Sequence, residues 1–305
     1  MNGYLAKYKA LNLPGKLIAI NVTIWLALQI GRIVSWLFTS DDLDWYSWLA
    51  LHADWQSFLV TPWTLLTYFF VHANFGDNVF HLLFNMLWLW WFGQYFLRTH
   101  TGRQLLGVYL MGGLFAGLFF LGCYNVFPAL HQMSHTVVVG ASGAIFALVA
   151  AVAMRHPDEA IYLNFFIRVV PLKMKWFALA ALAINIMNLA NGQNVGGIVC
   201  HLGGMLFGVA YGYEERHGID ITRWFNRMCD ALADAFKPRP KMKATRGGKT
   251  HVPNDRAADH DYNQRQHVQQ QRIDAILDKI SKGGYDALSA EEKAMLFDAS
   301  QRRKM

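Results

Sequence analysis

The places where this chain carries no charge limit its fold most. Residues 17 to about 213 are strongly apolar, whereas the rest of the 305 residues is polar. Crossing a bilayer as a helix takes about 20 apolar residues at about 1.5 Å each. Six segments suit that role: 17–38, 79–97, 104–122, 138–154, 171–190 and 197–213, the fourth and sixth being short. The connections 39–78, 123–141 and 191–196 contain no lysine or arginine. By contrast, Lys7, Lys9, Lys16, Arg98, Arg103, Arg155, Arg168, Lys173, Lys175, Arg216, Arg223 and Arg227 all flank the segments at their other ends. Because basic residues favour the cytoplasmic side, both termini are expected in the cytoplasm, and spans two, four and six enter from outside. The first segment is too long for a cleaved signal peptide and lacks a small-residue cleavage site.

Those three spans each open on a reactive polar residue. His81 and Asn85 begin the second, Ser142 begins the fourth inside Gly140-Ala141-Ser142-Gly143, and His201 begins the sixth inside Cys200-His201-Leu202-Gly203-Gly204. Polar groups at membrane depth are costly and point to function. A serine and a histidine at one depth supply a nucleophile and its general base. Taken singly, a histidine in a helix usually packs, and a serine after Gly-Ala usually caps a helix or allows a close helix approach. Those ordinary roles do not require convergence at one depth. Residues four apart share a helix face, so His81 and Asn85 can address one substrate atom. His72, His131 and His135 are expected in loops or at the interface.

With this order and topology, the chain resembles the rhomboid intramembrane serine proteases over about residues 15–215. The matching motifs are His81-x-x-x-Asn85, Gly-Ala-Ser142-Gly and His201-x-x-Gly204-x-x-x-Gly208. The resemblance implies that Ser142 is the nucleophile and His201 the base of a dyad. It further implies an oxyanion hole from His81, Asn85 and the Ser142 backbone N–H, with Phe146 packing beside the catalytic histidine. Gly140, Gly204 and Gly208 are expected to serve site packing, the last two by letting the sixth helix approach the fourth. Lateral substrate entry beside span five is also implied, with Asn185 and Met187 near the gate. The expected fold is an all-α membrane protein: a six-transmembrane-helix bundle plus a small cytoplasmic helical C-terminal module. The expected substrates are transmembrane proteins, cut near the outer face of a bacterial inner membrane, with no cofactor and no metal. The alternative is a non-catalytic rhomboid-like binder or chaperone of transmembrane clients, a class that typically lacks the serine or the histidine.

Other protease classes fit poorly. No Asp or Glu lies in any assigned span, and no His-Glu-x-x-His occurs. Paired carboxylates, a zinc protease and a buried triad carboxylate are therefore all disfavoured. The first outer loop carries Trp45, Trp48, Leu49, Leu51, Trp55, Phe58 and Leu59 at helical spacing. One or two short helices in the outer leaflet are expected there, with bracing of the core as an equal alternative. Two departures from the family pattern stand out: Thr64 follows Trp63 where many relatives carry arginine, and Gly76-Asp77-Asn78-Val79 resembles a small insertion. No structural disulfide is expected among Cys123, Cys200 and Cys229.

Beyond the last span the expected domains are a linker at 216–267 and a helical hairpin module at 268–300, with residues 1–16 as a cytoplasmic N-terminus and 17–215 as the core. Residues 214–236 continue as helix. Lys237, Arg239, Lys241, Lys243, Arg246 and Lys249 then form a basic stretch that carries much of the net charge of +7. Anionic membrane lipid is the partner this suggests, and not nucleic acid, for which no binding fold is recognisable. Residues 250–270 are polar, Gln-rich and expected to be disordered. Ile273, Ile276, Leu277 and Ile280 form an amphipathic stripe closed by Gly283-Gly284, and Ser289 to Glu292 reads as a capping box opening a second helix with Met295, Leu296 and Phe297. This hairpin resembles a module carried by some bacterial rhomboids of Bacteroidetes type.

Overall fold

Small residues determine how the helices stack. The computed structural model describes residues 8, 10–39, 44, 46–73, 75–165, 168–235, 256–284 and 288–295. It forms two compact units, Met1–Pro238 and Arg239–Met305. Lys7, Lys9, Trp45, the basic stretch 237–249, Leu296 and Phe297 lie outside the described residues.

In the larger unit the apolar region forms six long helices among the described residues: α1 (Leu13–Thr39), α2 (Phe75–Leu97), α3 (Gly102–Val126), α4 (Ser142–Arg155), α5 (Met174–Ala190) and α6 (Val195–Arg216). Three of them, α1, α3 and α6, are long and apolar enough to cross a membrane by length and composition. Helix α4 is the hub: every residue from Gly143 to Ala153 is buried. It packs against α6 more extensively than any other two helices pack together. A Cβ on Gly204 would fall 2.0 Å from the Gly143 carbonyl oxygen, and one on Gly208 would fall 2.2 Å from that of Ala147. The two backbones are in direct contact, as small residues allow. Helix α1 docks less tightly, through buried Asn21, which donates to the Leu17 carbonyl (2.8 Å) and to Tyr109 Oη on α3 (3.3 Å).

Two short antiparallel pairs were not expected. Strands β1 (Leu51–His52) and β2 (Val137–Val138) pair in the register Leu51↔Val138, which joins the connection after α1 to the segment before Ser142. Strands β3 (Ala160–Phe165) and β4 (Arg168–Lys173) form a hairpin between α4 and α5. Helices α4 and α5 consequently start at residues 142 and 174, not at 138 and 171. The β-branched runs Val137–Val139 and Val169–Val170 extend the apolar segments in the sequence, but they favour strand geometry.

The connection after α1 contains short helices at Tyr46–Leu49, Trp55–Val60 and Thr64–Thr67. Its apolar side chains do not all brace the core: Trp48 stacks on Trp63 at 6.3 Å, and both are exposed, as are Leu59 and Val60. Thr64 is fully buried, and its hydroxyl donates to the Thr61 carbonyl at 2.6 Å, so the site is built for a small residue. Residues 76–79 add to the first turns of α2.

Charged groups gather at the end of the bundle opposite Ser142. Arg155 pairs with Glu215 (2.8 Å), Arg103 pairs with Asp230 (2.9 Å), and Arg98 pairs with Glu159. Lys175 and Lys173 hydrogen-bond Asp158 and hold its carboxyl below the usual carboxylate range. Helix α6 ends at Arg216, and a separate helix, α7 (Arg223–Ala235), follows a turn; the expected continuous helix over 214–236 is broken at Gly218, whose φ is +80°.

In the second unit, helix α8 (Arg256–Gly283) starts well before residue 268. Residues 256–267 are therefore helix, not linker. Arg, Ala and Gln are good helix formers without an apolar stripe, so periodicity gave no sign of it. The helix stops where expected: Gly284 takes φ +74° and donates to the Ile280 carbonyl at 2.9 Å. The capping box is present, with Ser289 N donating to Glu292 (2.9 Å) and Glu292 N donating to Ser289 Oγ (3.3 Å). Ile276 and Leu288 are buried.

The Gly208 contact makes a prediction. Gly208→Val must push α6 off α4, at or above the ~1–3 kcal/mol typical of overpacking. A Cβ on Gly122 of α3, by contrast, meets nothing within 4 Å. Thermal unfolding in detergent should show a clear loss for Gly208→Val and none for Gly122→Ala.

Candidate active site

Four elements meet around Ser142. The segment Val137–Ala141 leads into α4, and Gly140 makes the turn with a φ of +120°. A Cβ there would lie 2.7 Å from His81 Cε1 and 3.5 Å from Asn85 Nδ2, so only glycine admits both α2 side chains. The turn is held from below: Gly140 N donates to the Tyr68 carbonyl (2.9 Å), and Ala141 N donates to His72 Nε2 (3.4 Å).

Ser142 is the first residue of α4, where backbone N–H groups have no intrahelical partner. Its hydroxyl lies 2.8 Å from His201 Nε2. Phe146, one turn further along α4, packs against the His201 ring at a centroid distance of 4.5 Å. Trp88 of α2 lies against Phe146 (5.7 Å) and Phe177 (5.4 Å), which closes the site on the side away from the Gly140 turn.

These groups line one cavity of about 610 Å³ that includes His81, Asn85, Ser142, Phe146 and His201. Its walls are otherwise largely apolar: Phe80, Phe84, Trp88 and Val137–Val139 among them. Asn85 is buried, and its Nδ2 has no hydrogen-bond partner among the described residues. A buried unpaired donor costs about 1–3 kcal/mol, so a group that accepts from it when the cavity is filled would recover that cost.

Ser142, His201, His81, Asn85, Phe146 and Gly140 are brought together here, with Gly204 and Gly208 beneath them at the α4–α6 contact. Two participants were missed. His72 lies in a loop, as expected, but is buried there, and its ring lies 5.5 Å from that of His81. Asn185, expected beside Met187 at a gate, is buried and accepts from His201 Nδ1 at 2.7 Å, while Met187 is exposed. The available signal was a polar residue within an apolar segment; which way it turned was not readable. The three cysteines are free.

Comparison with known proteins places this geometry. The family described as Rhomboid domain matches residues 60–216, half of the chain. The chain belongs to the rhomboid family. A second family, described as a family of unknown function (DUF6576), matches residues 257–302. Over 151 residues the chain is 31% identical to RHOMBOID-like protein 12, mitochondrial, of Arabidopsis thaliana, covering 46% of this chain and 43% of that protein. It is 25% identical over 199 residues to rhomboid protease GlpG of Pectobacterium atrosepticum, covering 64% and 62% respectively. With the GlpG of Klebsiella pneumoniae strain 342 it shares 29% identity over 140 residues, 44% and 45%. The chain thus spans about half the length of these curated relatives. As a rhomboid it is an all-α, multi-pass membrane protein.

Gly140 provides the second prediction. A left-handed backbone costs an L-residue about 1–3 kcal/mol, and the His81 ring blocks the Cβ as well. Gly140→Ala should therefore lower the unfolding midpoint, and a midpoint equal to wild type would show that the turn relaxes without penalty.

Proposed function

We propose that this protein is an intramembrane serine endopeptidase that cleaves transmembrane segments near the outer face by a Ser142–His201 dyad. The observation that carries this reading is the 2.8 Å contact between Ser142 Oγ and His201 Nε2, inside a cavity whose buried donor Asn85 Nδ2 is unpartnered. In this reading the six helices are six spans in a bacterial inner membrane, with both termini cytoplasmic. Helix α4 is only 14 residues long, about 21 Å at 1.5 Å per residue, short of the roughly 30 Å hydrocarbon core. A serine at its first residue then sits below the membrane surface.

The chemistry follows from the groups present. His201 Nε2 takes the hydroxyl proton as Ser142 Oγ attacks the scissile carbonyl carbon. The carbonyl oxygen gains the charge and accepts from the Ser142 backbone N–H, Asn85 Nδ2 and His81. His201 returns the proton to the departing amine, and water then releases the acyl group from Ser142 by the same steps. A helical peptide bond is shielded and already hydrogen-bonded, so the substrate must unwind locally to enter the cavity.

Two tests bear on this. Ser142→Ala and His201→Ala should each abolish cleavage of a transmembrane substrate, and the double variant should be little worse, because the two residues act as a unit. Asn85→Ala should keep measurable activity, reduced about 10²–10³-fold as for loss of one oxyanion donor. Substrate that co-purifies intact with wild-type protein would instead mark a non-catalytic binder.

The second unit begins at Arg239, and the catalytic groups all lie within Met1–Pro238. We infer that the basic stretch and the C-terminal module act in anchoring or regulation, not in the chemistry. Truncation after Gly248 should leave cleavage of a detergent-solubilised substrate within a few-fold of full length. Loss of catalysis at unchanged thermal stability would make the tail part of the working enzyme.

A further inference from the structure

The imidazole of His201 is bonded at both nitrogens. One bond is the contact with Ser142; the other is Nδ1 to Asn185 Oδ1, at 2.7 Å. The amide of Asn185 can be oriented from its own contacts. One end faces the Ala181 carbonyl at 2.8 Å, and a carbonyl only accepts, so the nitrogen of the amide must be there. The oxygen is then the end that faces His201. An amide oxygen also only accepts, so His201 Nδ1 must carry the hydrogen. Nε2 is left bare and takes the hydrogen bond from Ser142 Oγ. The chain runs in one sense from Ser142 through His201 and Asn185 to the backbone of α5.

We propose that Asn185 is a positioning residue that holds His201 in the Nδ1-protonated tautomer, making Nε2 the base and stabilising the imidazolium that forms during the reaction. This rests on the serine-protease reading above. The placement on α5 supports it. Asn185 and Ala181 are buried on the inward face, whereas Ile184, Ile186 and Met187 on either side are exposed. An amide turned inward among apolar neighbours is costly unless both ends are bonded, and both ends are. When Ser142 gives up its proton, His201 becomes cationic and the Nδ1–H···Oδ1 bond becomes charge-assisted and stronger. The gain belongs to the transition state, so it appears in kcat and not in KM.

The groups facing His201 are few: Ser142 and Phe146 from α4, Asn185 from α5, and His81 across the cavity from α2, with His72 behind it. Among the described residues, no carboxylate, lysine or arginine lines the cavity. A charge introduced at position 185 would therefore act on His201 with little competition from fixed charge.

The test uses purified full-length protein in detergent, as wild type, Asn185→Ala, Asn185→Asp and Ser142→Ala. A fluorogenic transmembrane peptide gives kcat and KM against pH, fluorophosphonate labelling gives the reactivity of Ser142, and thermal unfolding gives stability. For Asn185→Ala, kcat and the labelling rate should fall roughly 10- to 100-fold, the worth of one hydrogen bond to a charged group, with KM little changed. Asn185→Asp restores an acceptor. It should recover much of the rate at neutral to alkaline pH, and its acid limb should move to higher pH by about one unit, because the carboxylate favours the imidazolium. If Ser142→Ala is inactive while the folded Asn185 variants keep wild-type kcat and an unshifted acid limb, the positioning role is overturned and the dyad stands. Equal losses in both variants with an unshifted limb would also overturn it, leaving Asn185 as a helix clamp. Should Asn185→Ala fail to fold, the near-isosteric Asp variant decides by its acid limb alone. Cleavage by Ser142→Ala would sink the underlying reading instead.

Discussion

The direct backbone contact between α4 and α6 is the constraint on which the site depends. Within lipid there is little hydrophobic gain from bringing two helices together, so close packing through small residues must supply the attraction. Gly204 and Gly208 remove the side chains that would hold α6 away, and the carbonyls of Gly143 and Ala147 occupy the space. Only at that separation does an imidazole on one helix reach a hydroxyl on the next without a spacer. Phe146 then fills the remaining gap beside the ring. The residues that join the helices also set the distance between the Ser142 hydroxyl and the His201 imidazole.

The α2 side follows a different logic. Gly140 is left without a side chain so that His81 and Asn85 can lie over the turn into α4. Asn85 carries a buried donor without a partner among the described residues, a state that native interiors rarely tolerate without reason. Some stability is thereby given up where a hydrogen-bond acceptor entering the cavity would recover it. The turn does not bear this alone, since Tyr68 and His72 from the connection between α1 and α2 hold Gly140 and Ala141, and the β1–β2 pair ties the same loop to the preceding residues. The loop is thus part of the scaffold of the site.

Much of this was legible in the sequence, for identifiable reasons. Charge asymmetry and apolar length mark out the helical segments, and polar residues at the starts of three apolar segments mark out Ser142, His201, His81 and Asn85. What was not legible depends on rotation or on competing propensity. Asn185 stands out as a polar residue in an apolar stretch, but periodicity did not say that it turns toward His201. His72 read as a loop residue because nothing near it in sequence shows that the loop folds under α4. The strands β2 and β4 were hidden inside apolar runs long enough to pass as helix. Residues 256–267 read as disordered because this largely polar run has no apolar stripe to detect.

The identity of the third group fits its surroundings. In water-exposed serine hydrolases a carboxylate beside the histidine orients the ring and offsets the imidazolium charge. Between apolar helices an ionised carboxylate would have to be desolvated even when the histidine is neutral, a penalty its attraction to the ring repays only with good geometry and further hydrogen bonds. An amide oxygen avoids that resting cost. It still fixes the tautomer, because it can only accept, and the Ala181 carbonyl prevents the amide from flipping. It forgoes the full charge–charge attraction that a carboxylate would have for an imidazolium. The arrangement at His201 is therefore what a low-dielectric site favours: direction from a dipole, at a position where a fixed charge would be expensive to keep.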